Sequence, residues 1–126
     1  MPLKHGQSEV FLNNNIIVSK MSGAFNRTGI ERYKRKVVDA LESLDGKPFA
    51  MLVDNTLVEG GTPEAFEALD QFNTWMATQP LIAKAFVYNS SVLKGVMEQR
   101  LSSLHSVPTD FFSDYQSALS WLERFS

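Results

Sequence analysis

Asp54, Asn55 and Thr56 follow five consecutive apolar residues, Phe49 to Val53, and Gly60, Gly61, Thr62 and Pro63 come shortly after. A run of apolar residues closed by a carboxylate, then a polar stretch with two glycines, then Thr-Pro reads as a buried strand, an acidic stop, a loop and a helix start. In open parallel sheets, ligands gather beyond the carboxyl ends of the strands. A helix that begins there offers unpaired backbone N–H groups to an anion. Asn89, Ser90 and Ser91 follow the next apolar run, and Ser113 follows the last, so they belong to the same edge. The candidate binding or regulatory set is therefore Asp54, Asn55, Thr56, Gly60, Gly61, Thr62, Asn89 and Ser90. The same residue types are the ordinary furniture of turns and helix caps, so a purely structural role is the competing expectation.

Other chemistries find little footing. His5 and His105 are the two histidines, and neither stands at metal-ligand spacing from another histidine or a carboxylate. No metal site and no cofactor is expected. There is no cysteine, which excludes disulfides, thiolate catalysis and cysteine-held zinc or iron–sulfur clusters. No Gly-x-Ser-x-Gly elbow occurs, and neither Gly-x-x-x-x-Gly-Lys nor Gly-x-Gly-x-x-Gly is present. Gly60-Gly61-Thr62 matches only the glycine part of a phosphate loop. The expectation is a protein that is not an enzyme, with a hydrolase as the weaker alternative.

Two charged segments stand out. Arg27, Arg32, Lys34, Arg35 and Lys36 lie within ten positions, with Asp39 and Glu42 able to pair along the same helix. Glu59, Glu64, Glu67 and Asp70 make the following helical segment acidic. A solvated face is the plain expectation for the basic run; binding of anionic lipid or an acidic partner is the alternative. Opposite charges on the two helices suggest a homodimer. Among the aromatics, Trp75 and Trp121 fall at the edges of their helical stripes, where an exposed patch would serve as a dimer face or an apolar-ligand pocket.

The elements that must position these residues are legible as periodicities. Glu9–Leu12 and Ile16–Met21, separated by Asn13-Asn14-Asn15, predict a β-hairpin. Thr28 and Glu31 form a capping-box pattern. Ile30, Tyr33, Val37, Leu41 and Leu44 then repeat at helical spacing, and Asp45-Gly46 closes that helix. Phe49–Val53 predicts a strand covered on both faces. Thr62 and Pro63 open a helix whose buried stripe is Ala65, Phe66, Leu69, Phe72 and Met76. Ala83–Tyr88 predicts the next strand, and Leu93, Val96, Met97, Leu101 and Leu104 a third helix. Asp110–Phe112 predicts a short strand. Ser113 to Gln116 forms a second capping-box pattern before a last helix lined by Tyr115, Ala118, Leu119, Leu122 and Phe125. The order is ββαβαβαβα, an α/β domain with a mixed, mostly parallel sheet.

Size and composition agree. The chain has 126 residues, 44% of them hydrophobic and 21% charged, which predicts one domain spanning residues 1–126. Its net charge of -2 argues against nucleic acid as a partner. No apolar run approaches the roughly 18 residues that span a bilayer, and the first residues lack an apolar signal core. The expected location is cytoplasmic.

Taken together, the hairpin, the long helix, the strand Phe49-Ala-Met-Leu-Val-Asp54 and the helix after a small polar loop resemble STAS domains. They resemble most closely the uncharacterised bacterial SpoIIAA-like proteins of the STAS/Sec14-type class. Gly23-Ala-Phe25, Ala83-Lys-Ala-Phe-Val-Tyr88 and Ala118-Leu-Ser-Trp-Leu122 fit the same pattern. The resemblance covers nearly the whole chain through hydrophobic patterning. It implies a SpoIIAA-like fold and a non-enzymatic protein-interaction or regulatory module with a protein partner. The Sec14-like side of the comparison implies, as the alternative, a binding protein for a small apolar ligand or lipid. Anti-sigma-factor antagonists of the STAS family bind a kinase and are switched by phosphorylation of a serine in an Asp-Ser-Ser-Gly-like turn. Here the matching turn reads Glu59-Gly60-Gly61-Thr62-Pro63, and Thr62 is its one hydroxyl.

Overall fold

The computed structural model describes residues 5–101 and 107–125. Strands β1 (Gln7–Asn13) and β2 (Ile16–Phe25) form the expected hairpin. Asn14 occupies the left-handed region at φ 54°, which asparagine tolerates better than most residues, and lets a two-residue turn close. Helix α1 (Arg27–Ser43) follows, then β3 (Phe49–Gly61), α2 (Pro63–Met76), β4 (Leu81–Val87), α3 (Ser91–Arg100), β5 (Thr109–Phe112) and α4 (Tyr115–Glu123). The sheet order is β1-β2-β3-β4-β5; β1 pairs antiparallel with β2, and every other pair is parallel. The expected α/β class with a mixed, mostly parallel sheet is what the chain adopts.

Alternation along the central strands builds two cores. Ile17, Met21, Phe49, Met51, Val53 and Phe86 face α1, α2 and α3. Ile16, Val18, Ala50, Leu52, Ala83, Ala85 and Val87 face α4, where Ala118 and Leu122 close over them. A continuous apolar run such as Phe49–Val53 is thus covered on both sides, as a central parallel strand must be. The α4 face uses small alanines on β4, which lets a nine-residue helix lie close to the sheet.

Several local expectations shift. α1 is capped by Asn26, whose side chain accepts from the Gly29 N–H at 2.9 Å, and not by Thr28. α4 is capped by Asp114, which accepts from the Ser117 N–H at 2.8 Å, and not by Ser113. Two neighbouring cap formers compete in each case, and the side chain that reaches the third N–H with extended backbone takes the position. β2 runs past Gly23, which sits at φ 83° beside a register shift. The largest change concerns β3. The stretch from Asp54 to Gly61, expected as a loop, is strand. The Leu104 position of the third helical stripe and His105 lie outside the described residues.

Candidate functional site

β2, β3, β4 and β5 point the same way, so their carboxyl ends and the N-termini of all four helices share one edge. The caps there are Asn26, Thr62, Ser90 and Asp114. Each is an Asn, Thr, Ser or Asp whose side chain satisfies an N–H that the first helical turn would otherwise leave orphaned.

β3 dominates this edge by its length. Its pairing with β4 ends at Asp54 opposite Val87, while its pairing with β2 continues to Gly61 opposite Phe25. From Asp54 to Gly61 β3 takes seven steps where β2 takes five, from Lys20 to Phe25. The surplus residues sit at two register shifts, and such bulges twist a strand and re-aim its side chains. Beyond Asp54 the strand alternates between covered and exposed positions, and Leu57 is 69% exposed. Residues 55–61 have no strand partner on the β4 side among the described residues.

The candidate residues divide along this overhang. Asp54 lies on the α4 face in register with Lys20, and its Oδ1 accepts from the Thr56 N–H at 3.0 Å and the Thr56 hydroxyl at 2.8 Å. Asp54 and Thr56 therefore satisfy each other. Asn55 points to the opposite face and is buried against Tyr88, although its Nδ2 completes no hydrogen bond. Gly60 adopts φ 135°, a backbone conformation open to glycine, and Gly61 leads into the cap. Thr62 is exposed; its N–H donates to the Phe25 carbonyl at 2.9 Å and its Oγ1 accepts from the Ala65 N–H at 3.1 Å. Ser90 accepts from the Leu93 N–H at 3.3 Å, and Asn89 is exposed beside it.

These residues border two separate hollows. Asn55, Gly60 and Gly61 line a narrow apolar cleft with Phe25, Val58 and Phe66, of about 30 Å³. Asn89, Ser90, Ser91, Lys94, Phe111 and Ser113 line a wider hollow of about 340 Å³ at the ends of β4 and β5. Lys94 spans that hollow's wall, 4.6 Å from the centre of the Phe111 ring and 3.7 Å from the Glu98 carboxylate. The single polar site expected from the sequence is thus split by the length of β3.

The aromatic and charged expectations also change. Trp75 on α2 stacks on Phe72 at 6.0 Å and is 43% exposed. Trp121 on α4 packs on Phe112 and Phe125 across the opposite face of the sheet, so the two tryptophans form no common patch. Beside Trp75 a surface hollow of about 280 Å³ opens between α1 and α2, lined by Glu31, Lys34, Val38, Ala68, Gln71 and Phe72, so its wall is part apolar and part charged. α1 and α2 pack side by side, so the basic and acidic helices are neighbours within one chain and their attraction needs no second copy. Asp39 and Glu42 form no ion pair with the basic run among the described residues; Lys36 instead donates to the Ser8 carbonyl of β1. His5 is partly buried, its Nδ1 accepting from the Asn26 amide at 2.7 Å.

Three features escaped the sequence reading. Leu57 was hidden by its turn-forming neighbours. Lys84, 2% exposed in the middle of β4, was hidden within an apolar run. The buried Ser19–Tyr33 hydrogen bond, 3.3 Å, links β2 to α1. Burial pushes the Tyr33 hydroxyl up to about 12 and raises Tyr88 further, and burial drags the Lys84 amine down to about 8.

Comparison with known proteins places this geometry. No curated protein matches the chain. An uncharacterised protein of the DUF3478 family from Shewanella loihica PV-4, solved with a SpoIIAA-like fold, superposes with a TM-score of 0.70 at 16% identity, over 97% of each chain. An anti-sigma factor antagonist from Mycobacterium paratuberculosis superposes with a TM-score of 0.58 at 13% identity, over 94% of each. The anti-sigma factor antagonist SpoIIAA in its unphosphorylated form gives 0.59 at 9% identity, over 95% of this chain and 96% of that one. At such identities the likeness is one of fold, and it agrees with the SpoIIAA-like resemblance read from the sequence. The model of a domain of unknown function, DUF7793, matches residues 10–126, and the chain therefore belongs to the DUF7793 family and carries a SpoIIAA-like fold.

Proposed function

We propose that this chain is a non-enzymatic regulatory module that docks a protein partner on the carboxyl edge of its sheet. The observation that carries this reading is the β3 overhang. Residues 55–61 leave one strand edge unpaired among the described residues and set Leu57 out into solvent at 69% exposure. An unpaired edge with an exposed apolar side chain is a ready template for another chain, since main-chain hydrogen bonds supply affinity and the side chain supplies specificity. Thr62 stands at the end of the same overhang with an exposed side chain. The likeness to two anti-sigma factor antagonists supports a protein as the partner.

Thr62 is the natural control point on this surface. Its hydroxyl caps α2, and a phosphate there would meet the positive end of that helix. The added charge would change the docking edge without unfolding the helix behind it.

Quantitative affinity capture from the native host tests the reading. Wild type, Leu57→Asp and Thr62→Glu are compared, with circular dichroism confirming that each is folded. A partner captured by wild type and depleted at least about tenfold by Leu57→Asp is expected, a loss on the scale of one interface anchor. Equal capture by all three proteins would remove this edge as the docking surface.

A further inference from the structure

Lys84 is the most unusual side chain in the core. It lies in the middle of β4, in register with Met51, and its side chain runs under α1, α2 and α3. Its ammonium makes no hydrogen bond. Asn55, 3% exposed on the neighbouring strand, holds its amide nitrogen against the Tyr88 hydroxyl without completing a hydrogen bond. Both line one small, partly open cavity of about 30 Å³, together with Tyr33 and Asn73, among otherwise apolar walls.

The chemistry of these groups is one-sided. A lysine ammonium carries three donors and no acceptor, and an amide nitrogen is a donor only. The Ser19 hydroxyl donates to the Tyr33 oxygen, which leaves the Tyr33 proton to be donated elsewhere. The amide oxygens of Asn55 and Asn73 add acceptors to the wall, but the lining groups left without a hydrogen bond, Lys84 Nζ and Asn55 Nδ2, are donors. The cavity's volume accommodates one small guest, since about 10–15 Å³ measured this way already holds a water.

Charge narrows the choice. The groups acting on the site from the packed elements are Asp70 on α2, whose field favours the charged amine, Tyr33 on α1, and Tyr88 just past β4 with Glu98 on α3 behind it. With an amine still mostly protonated at pH 7, the buried positive charge meets the Phe86 ring, 5.6 Å from Nζ, and the field of Asp70, but no hydrogen-bond acceptor. A water would accept the hydrogen bonds but bring no countercharge into the cavity.

We propose that the Lys84 cavity binds a single small monovalent anion of halide size, held between Lys84 Nζ and Asn55 Nδ2. Occupancy would fix the amine in its charged form and couple the stability of the module to anions in its surroundings. A polyatomic anion such as sulfate or gluconate exceeds the space.

Bromide is the probe. Thermal unfolding is followed at pH 7 while sodium bromide replaces sodium gluconate at constant ionic strength. A saturable rise of the midpoint by several degrees is expected in wild type, and its loss in Lys84→Met. Should that variant fail to fold, Asn55→Leu gives the same readout, with the bromide response reduced. Crystals grown in bromide supply the direct measurement: an anomalous peak is expected within hydrogen-bond distance of Lys84 Nζ. A midpoint indifferent to bromide, or a water at that point with no anomalous signal, would overturn the proposal.

Discussion

The lysine buried in the core gives the chain a distinctive pH response. Lys84 has a folded value of about 8 against an ordinary 10.5, lowered by burial and partly restored by Asp70. Between these values the unfolded chain binds a proton that the folded chain has released, so stability rises with pH from about 8 to about 10.5. The gain approaches about 3 kcal/mol by the conversion of roughly 1.4 kcal/mol per pH unit. Tyr33 works in the other direction. Its folded value of about 12 lies above the ordinary 10, so the unfolded chain ionises first and stability falls above about pH 10. The expected profile in a buffer of large anions is a maximum near pH 10, read by urea unfolding across pH 7–11. Lys84→Met removes the rising limb and leaves the tyrosine limb. A wild-type profile flat from pH 8 to 10 would show that the amine is solvated in the folded state. None of this is legible in the sequence, because Ala83-Lys-Ala-Phe-Val-Tyr88 reads equally well with its lysine at a strand end. Thr62 is the contrasting case. Its capping role follows from Thr-Pro at a helix start, and the 3.1 Å bond to the Ala65 N–H agrees.

Elements were legible where periodicity was long and lost where pairing decided. The 17-residue α1 and the 14-residue α2 carry apolar stripes that no strand could use. β3 beyond Val53 is the opposite case. Asp, Asn, Thr and two glycines are turn formers by local preference, yet β2 offers a continuous partner out to Phe25, and the backbone hydrogen bonds outweigh propensity. From Thr56 onward, Thr56 and Val58 are partly covered while Leu57 and Glu59 are exposed, an alternation that the sequence hides because each side mixes a polar with an apolar residue. Gly29 shows a similar contest within α1. Helix propensity alone favours alanine there by about 1 kcal/mol. However, a Cβ on Gly29 would collide with the His5 carbonyl oxygen, which packs on the first turn of α1. Gly29→Ala is therefore expected to destabilise, by about 1–3 kcal/mol for overpacking, with the His5 segment displaced from α1. Urea unfolding decides the sign. A stabilised variant would mean that His5 does not pack there in solution. At the heart of the sheet, Leu52 is fully buried against α4, and Leu52→Ala is expected to cost about 2–5 kcal/mol by the same measurement.

At the scale of the molecule, the SpoIIAA-like fold was legible, whereas the division of its working edge was not. Hydrophobic alternation specifies a sheet with helices on both faces, and the SpoIIAA-like resemblance follows from that pattern. The candidate residues Asp54 to Thr62 and Asn89 to Ser90 do share one edge, but the extra length of β3 separates them into an overhang and a hollow. That separation gives docking a definite footprint. The most direct test is to label the protein with ¹⁵N, add the partner captured from its host, and follow the backbone amides. Docking at the edge predicts shifts and broadening concentrated on residues 55–62 and 89–94, with α4 and β1 unmoved and the effect lost in Leu57→Asp. Shifts centred on α4 or β1 with the overhang silent would contradict it.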